Sequence, residues 1–120
     1  MQLHQPVPVL RIFDKEKAAA FYVDYLGFSI DWEHRFEAHF PVYLQISSNH
    51  CVLHLSEHHG DGTPGSTVRI GTDDIHQLHR QLSGKHYKYA RPGIKEQPWG
   101  QLEIAVKDTF GNTLIFFQPQ

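Results

Sequence analysis

The 120-residue chain has a single cysteine, Cys51. One thiol excludes an intramolecular disulfide framework and any zinc site built on cysteine pairs. Between strand-like neighbours, Cys51 is expected to be a small buried thiol. Charge of one sign is missing too. Eleven Lys and Arg stand against thirteen Asp and Glu, interspersed, for a net charge of −2, so no basic stripe points to nucleic acid. No apolar run approaches the ~20 residues of a membrane span. The opening "MQLHQPVPVL" lacks the basic start and long apolar core of a signal peptide, so a soluble, cytoplasmic domain is expected. No Gly-rich loop follows a strand to cradle phosphate. No nucleophile-elbow spacing supports assembling Ser56, Glu57 and the nearby histidines into a triad, and no catalytic residue is assigned.

What is there suits a packed domain. Apolar residues make up 40% and aromatics 12%, enough for one core at this length. Ten histidines raise the question of a metal, most densely in "HLSEHHG" (54–60). His58 and His59 are adjacent, so on a strand they point to opposite faces. A polar surface loop is the simpler reading. No metal and no cofactor is expected.

Hydrophobic periodicity divides the chain into elements. "VPVLRIF" (7–13) reads as a strand. Asp14 has the character of an N-cap for the helix "KEKAAAFYVDYLG", whose Ala18, Phe21, Tyr22, Tyr25 and Leu26 form one apolar stripe. Gly27 suits its left-handed end. "FSIDWEHRFE" (28–37) alternates Phe28, Ile30 and Trp32 against Ser29, Asp31 and Glu33. "VYLQISS" (42–48) and "CVLHLSE" (51–57) follow as strands. "HHGDGTPGS" (58–66) is rich in turn formers, and the pattern then restarts. The strand "STVRIGTDD" (66–74), the helix "DIHQLHRQLSG" (74–84) closed by Gly84, and the strands "HYKYARPG" (86–93), "QLEIAVKD" (101–108) and "TLIFFQ" (113–118) complete it. Arg11-Ile12 and Arg69-Ile70 lie at matching places in the two halves.

The chain is therefore expected to be α+β, a single domain of two tandem βαβββ modules over about 6–57 and 66–118, joined by a linker at 58–65. The curved mixed sheets would surround a cleft. Neither module buries its sheet alone. Each helix covers one face, and the other must meet the twin module, a second chain or a ligand. On 51–57, Cys51, Leu53 and Leu55 should face the helix, leaving Val52, His54 and Ser56 on a half-polar face of the kind that lines a cleft.

"EQPWG" (96–100) poses a separate problem. Pro98 and Gly100 spell a surface turn, yet Trp99 between them carries a ring that a core would normally claim. Contact with a ligand or partner is the favoured reading of Trp99. Trp32, by its alternation with Phe28 and Ile30, is equally consistent with the core. Arg11 and Arg69 read equally as structural ion pairs or as functional groups.

The strand "VPVLRIFD", the helix end "FYVDYLGF" and the terminal "DTFGNTLIFF" resemble the glyoxalase/bleomycin-resistance/dioxygenase (vicinal oxygen chelate) superfamily, over essentially the whole chain. "EQPWG", with "VPVL" and "LGFSIDW", resembles more narrowly the bleomycin-resistance proteins, dimers that sequester drugs without modifying them. Enzymes of the superfamily hold a divalent metal at four strand positions. An ungapped placement puts Val7, His54, Thr67 and Ile115 there, and only His54 is a metal ligand, so a metal-dependent enzyme is disfavoured.

For the binding proteins, the resemblance implies a ligand set at the dimer interface. Trp99 with Gly100 stands in the PWG loop, Asp31 and Trp32 form an acidic–aromatic pair, Phe36 or Glu37 falls near a further cleft aromatic, and His54 and Ser56 lie on the fourth strand. Glu103, with Asp31 and Glu33, would add negative charge for a cationic guest. The leading expectation is a homodimer, with a proline-containing N-terminal strand suited to exchange, that sequesters a flat, apolar-to-cationic, bleomycin-type molecule. The alternative is a metal-dependent glyoxalase- or dioxygenase-type enzyme with ligands elsewhere, such as His54, Glu57 and His58. A third reading is an accessory dimer with Trp99 buried against a partner chain.

Overall fold

The computed structural model describes residues 1–85 and 92–119. The elements are β1 (Val9–Arg11), α1 (Lys15–Ala19) continued by a π-helical stretch (Ala20–Tyr25), β2 (Ser29–His34), β3 (Tyr43–Ser48), β4 (Cys51–Ser56), β5 (Thr67–Gly71), α2 (Ile75–Ser83), β6 (Lys95–Gln97), β7 (Gln101–Lys107) and β8 (Thr113–Pro119). They build two four-stranded sheets, ordered β1-β4-β3-β2 and β5-β8-β7-β6. In each sheet the first strand runs parallel to the last and the other pairs are antiparallel. The fold is α+β with mixed sheets, and the two halves repeat one topology. The strand expected over 86–93 falls largely on residues 86–91, outside the described ones. The edge of the second sheet is β6, a little further along the chain.

Both helices start where a side-chain oxygen replaces a missing backbone acceptor. Asp14 Oδ1 accepts from Lys17 N at 3.0 Å, and Asp74 Oδ1 from Gln77 N at 3.0 Å. The first helix departs from the single α-helix that its spacing predicts. After Ala19 it widens, with Leu26 N donating to Phe21 O at 2.9 Å, the longer-range bonding of a π-helix. The sequence neighbours Phe21 and Tyr22 are both buried on its inner side, where their rings meet edge to face at 4.8 Å. Gly27, at φ +86°, ends the helix as expected; Gly84 ends α2 at φ −79°, in the right-handed region.

One contiguous core lies between the helices and the sheets. Leu10, Leu44, Ile46, Leu53 and Leu55 enter it from the first sheet, and Ile104, Val106, Leu114 and Phe116 from the second. Leu53 and Leu55 thus face the helix as the alternation of 51–57 requires. Cys51 lies at the margin of this core, half-buried, and burial pushes its thiol above the ordinary value.

A polar knot ties the halves together. Asp108, in the turn between β7 and β8, is buried, and its four acceptor positions are all used. Oδ1 accepts from the backbone N–H of Phe110 and of Asn112, both at 2.8 Å. Oδ2 accepts from Asn112 Nδ2 at 2.9 Å and from Tyr22 Oη, on the other module's helix, at 2.7 Å. Asn112 Nδ2 also donates to Arg11 O on β1 at 2.8 Å. The linker presses on the same strand: a Cβ on Gly62, which sits at φ +71°, would stand 2.8 Å from Val9 O.

Tyr22→Phe removes one charge-assisted bond across this joint and is expected to cost about 1.5–3 kcal/mol. Urea denaturation checks it: the midpoint falls while the slope is unchanged. Asp108→Ala, which strands four donors, should cost more.

Candidate ligand-binding site

The first candidate face, on the first sheet, owes its shape to a β-bulge. Ile30 pairs with Ile46 on β3, but the next pairing joins Trp32 to Gln45, so Asp31 is an extra residue in β2. A bulge breaks the alternation of the strand beyond it. Ile30 therefore stays on the face of the buried Ile46, while Trp32 and His34 cross to the opposite face beside Gln45 and Tyr43. Glu33 goes to the helix face, where it pairs with Lys15 at 2.6 Å. This resolves the open reading of Trp32. It is not core but 44% exposed.

On that face a row of directly paired residues runs Trp32, Gln45, His54, Val9 across four strands. The rings of Trp32 and Tyr43 are nearly parallel, with centroids 6.1 Å apart, and His54 stands edge-on to both at 5.4 and 5.2 Å. A hydrogen-bonded chain fixes them. Gln45 Nε2 donates to Asp31 Oδ2 at 3.0 Å, which leaves Gln45 Oε1 as an acceptor, 3.0 Å from His54 Nε2. Nε2 therefore carries the imidazole proton, and Nδ1 accepts from Tyr43 Oη at 2.7 Å. Ser47 Oγ donates to the second Asp31 oxygen at 2.9 Å. Burial holds the His54 pKa below the ordinary histidine value. Burial also raises that of Tyr43, helped by the nearby Asp61 carboxylate. The result is a neutral aromatic surface with one carboxylate at its edge.

A second candidate face, on the other sheet, carries Trp99. Gly100 N donates to Gln97 O at 3.1 Å and Gly100 sits at φ +87°, so Pro98-Trp99-Gly100 makes the three-residue hairpin loop between β6 and β7. Gly100 is needed for that left-handed position, and the ring of Trp99 is left 62% exposed. The indole Nε1 donates to Gln101 Oε1 at 3.1 Å, and the same oxygen accepts from Arg69 Nη2 at 2.8 Å. Arg69 Nη2 also meets Glu103 Oε2 at 2.8 Å, while Gln97 Nε2 donates to Glu103 Oε1 at 3.1 Å. The Arg69 guanidinium lies 4.8 Å over the ring of Phe117.

Of the residues expected in the site, Asp31, Trp32 and His54 come together on the first face, and Trp99 and Gly100 on the second. Phe36 is exposed in the loop after β2, its ring 4.9 Å from that of His34. Two expectations need correction. Ser56 is fully buried: its Oγ donates to Asp61 Oδ2 at 3.0 Å and accepts from His58 N at 3.0 Å, so it is covered by its own loop. Glu103, expected to offer free negative charge, is buried and neutralised by Arg69. The histidine cluster has structural employment too, with Glu57 Oε1 accepting from Val42 N at 2.8 Å. Among the described residues no group of three or more His, Cys, Asp or Glu is arranged to hold a metal ion. The superfamily positions Val7, Thr67 and Ile115 carry no imidazole, thiolate or carboxylate, so this donor set does not fit a divalent metal.

Tyr43, Gln45 and Arg69 are the members that strand alternation underused. Tyr43 and Gln45 share a face with Ser47 by simple period-two spacing, which was signal enough. Nothing local announces that Arg69 reaches across to Gln101.

A family model described as "Glyoxalase superfamily protein" matches residues 1–120. A bleomycin resistance protein of Geobacillus stearothermophilus is 26% identical over 132 residues, covering 95% of this chain and 96% of that one. Among solved structures, the bleomycin-binding protein from bleomycin-producing Streptomyces verticillus, complexed with copper(II)-bleomycin, is 26% identical. Its TM-score is 0.69, over 97% of this chain and 96% of that one. A glyoxalase-related enzyme from Clostridium phytofermentans, 22% identical with a TM-score of 0.76 over 100% and 98% of the two chains, shares the fold. No helix among the described residues is long and apolar enough to cross a membrane. With the repeated βαβββ topology and a model match over its full length, the chain belongs to the glyoxalase superfamily.

Proposed function

We propose that the protein is a bleomycin-resistance-type binder, which holds a flat small molecule against aromatic platforms and sequesters it unmodified. The observation that carries this reading is Trp99, an exposed indole held at a fixed angle by Gln101 at 3.1 Å. Ordering a platform in advance reduces the entropy lost on binding. The stacking contributes ~0.5–1.5 kcal/mol beyond area burial. Trp32, backed by Tyr43 and His54, supplies a second platform, with Asp31 at its edge and Phe36 and Gly100 at the margins. The relatives named for bleomycin resistance span nearly the whole chain, which supports the drug class.

A homodimer is part of the same reading. The molecule is flat, 47 × 44 × 23 Å, with a radius of gyration of 14.9 Å, against about 13.6 Å for a compact chain of this length. Phe13, Trp32, Phe36, Phe40 and Trp99 are exposed, so two copies bringing opposite faces together would close the ligand cleft. The N-terminal residues 1–7 lie outside the sheet and are largely exposed, as an exchanging arm would be. Action in the cytoplasm, where Cys51 stays reduced, completes the proposal.

Titrating the protein with bleomycin should change tryptophan emission saturably at micromolar drug, with the drug recovered intact. Trp99→Ala should remove most of the signal; a flat wild-type titration would sink the drug assignment. Sedimentation should give twice the 13.9 kDa chain mass, and a monomer at all concentrations would overturn the dimer.

Acid should weaken the site. His54 has a depressed pKa, so its neutral form is the native one. That contribution is complete above the unfolded value of ~6.5 and is lost as pH falls through the folded value. Around the ring stand Tyr43, Trp32 and Gln45, with Asp31 behind Gln45, and Tyr43 in turn faces His58 and feels the Asp61 carboxylate. In an imidazole NMR titration, His54 should be among the last histidines to protonate as pH is lowered, with bleomycin affinity declining in the same range.

A further inference from the structure

The acidic groups expected to draw a cation are already engaged. Glu33 is tied to Lys15, Asp31 accepts from Gln45 and Ser47, and Glu103 is 6% exposed against Arg69. Arg69 is not used up in the same way. Its Nη2 serves both Glu103 and Gln101, but Nε and Nη1 have no hydrogen-bond acceptor among the described residues other than solvent. Its side chain is 42% exposed. The guanidinium is held flat by the Phe117 ring and by its two acceptors, so the free N–H groups keep one direction. Because Arg69 and Trp99 donate to one and the same oxygen, Gln101 Oε1, the indole platform and the free donors stand in a fixed relation on the second sheet.

We propose that Arg69 is a specificity-determining residue that selects flat ligands bearing a hydrogen-bond acceptor, a carboxylate or carboxamide, at the edge of the ring stacked on Trp99. This rests on Trp99 being a stacking platform. The chemistry is that of a preorganised guanidinium. Its planar fork gives strong, directional bonds to carboxylate and weaker ones to amide oxygen, which an ammonium on a flexible stem does not reproduce. Glu103 is then the buried anchor of Arg69, a positioning residue, and no ligand contact is asked of it.

Three probes that share one ring test this: quinoline and the mutually isosteric quinoline-2-carboxamide and quinoline-2-carboxylate, followed by Trp99 emission in a Trp32→Phe background. The carboxylate should bind about tenfold tighter than quinoline, and the carboxamide should fall between them. In Arg69→Met/Glu103→Gln, which removes the cation together with its buried partner, the three should converge on the quinoline affinity. Arg69→Lys keeps the charge opposite Glu103 and serves if the double variant does not fold: it should lose the carboxamide preference and keep part of the carboxylate one. Equal binding of all three probes to the parent protein, or an unchanged preference in the variants, overturns the role of Arg69 and leaves Trp99 as a platform. Absence of quenching by any probe overturns the platform itself, and the proposal with it.

Discussion

The structure depends on a buried carboxylate. Asp108 has no cation beside it among the described residues, and an isolated charge out of water is costly. It is tolerated because two backbone N–H groups, an amide and a phenol each fill one of its acceptor positions. Those donors come from both halves of the chain: Tyr22 lies 86 residues away from Asp108 in sequence. Asn112, held by the same carboxylate, reaches the carbonyl of Arg11. A tight turn that could have been a mere reversal thereby fixes how the second sheet sits against the first helix and strand.

The two faces solve one problem in parallel. On each, a glutamine oxygen accepts the N–H of a ring: Gln45 for the half-buried His54 on β4, Gln101 for the exposed Trp99 in the loop before β7. Each glutamine is held in turn by a charged group, Asp31 for Gln45 and Arg69 for Gln101. The faces differ in what they leave to solvent. The first presents neutral rings with an occupied carboxylate at the margin. The second presents an indole beside free guanidinium donors. A charge count over this face would have missed this, because the ion pair of Arg69 with Glu103 sums to zero while its hydrogen-bonding capacity does not.

Much of the fold was legible locally. Asp14 caps its helix as its position suggests, the 51–57 alternation delivers Leu53 and Leu55 to the core, and the doubled pattern from Arg11 to Arg69 reports the repeat. Pro98, Trp99 and Gly100 spell their hairpin loop directly. Where local reading failed, the cause was a change of period. The π-helical stretch alters the rise of the first helix, and the bulge at Asp31 inverts β2 beyond it. Neither leaves a mark in composition, because the same residues would fit an unbroken pattern.

The sequence by itself determined the element order, the two-module α+β architecture and the exposure of Trp99. These follow from capping, alternation and turn chemistry, all of which act over a few residues. Tertiary structure alone decided that Trp32 faces outward, that Ser56 is sealed beneath Asp61 and His58, and that Glu103 is taken by Arg69. The first and last of these rest on strand pairing and on side chains meeting across the sheet, where no window of neighbouring residues contains both partners. Ser56, by contrast, is sealed by its own following loop, whose turn formers do not announce that Asp61 folds back onto it.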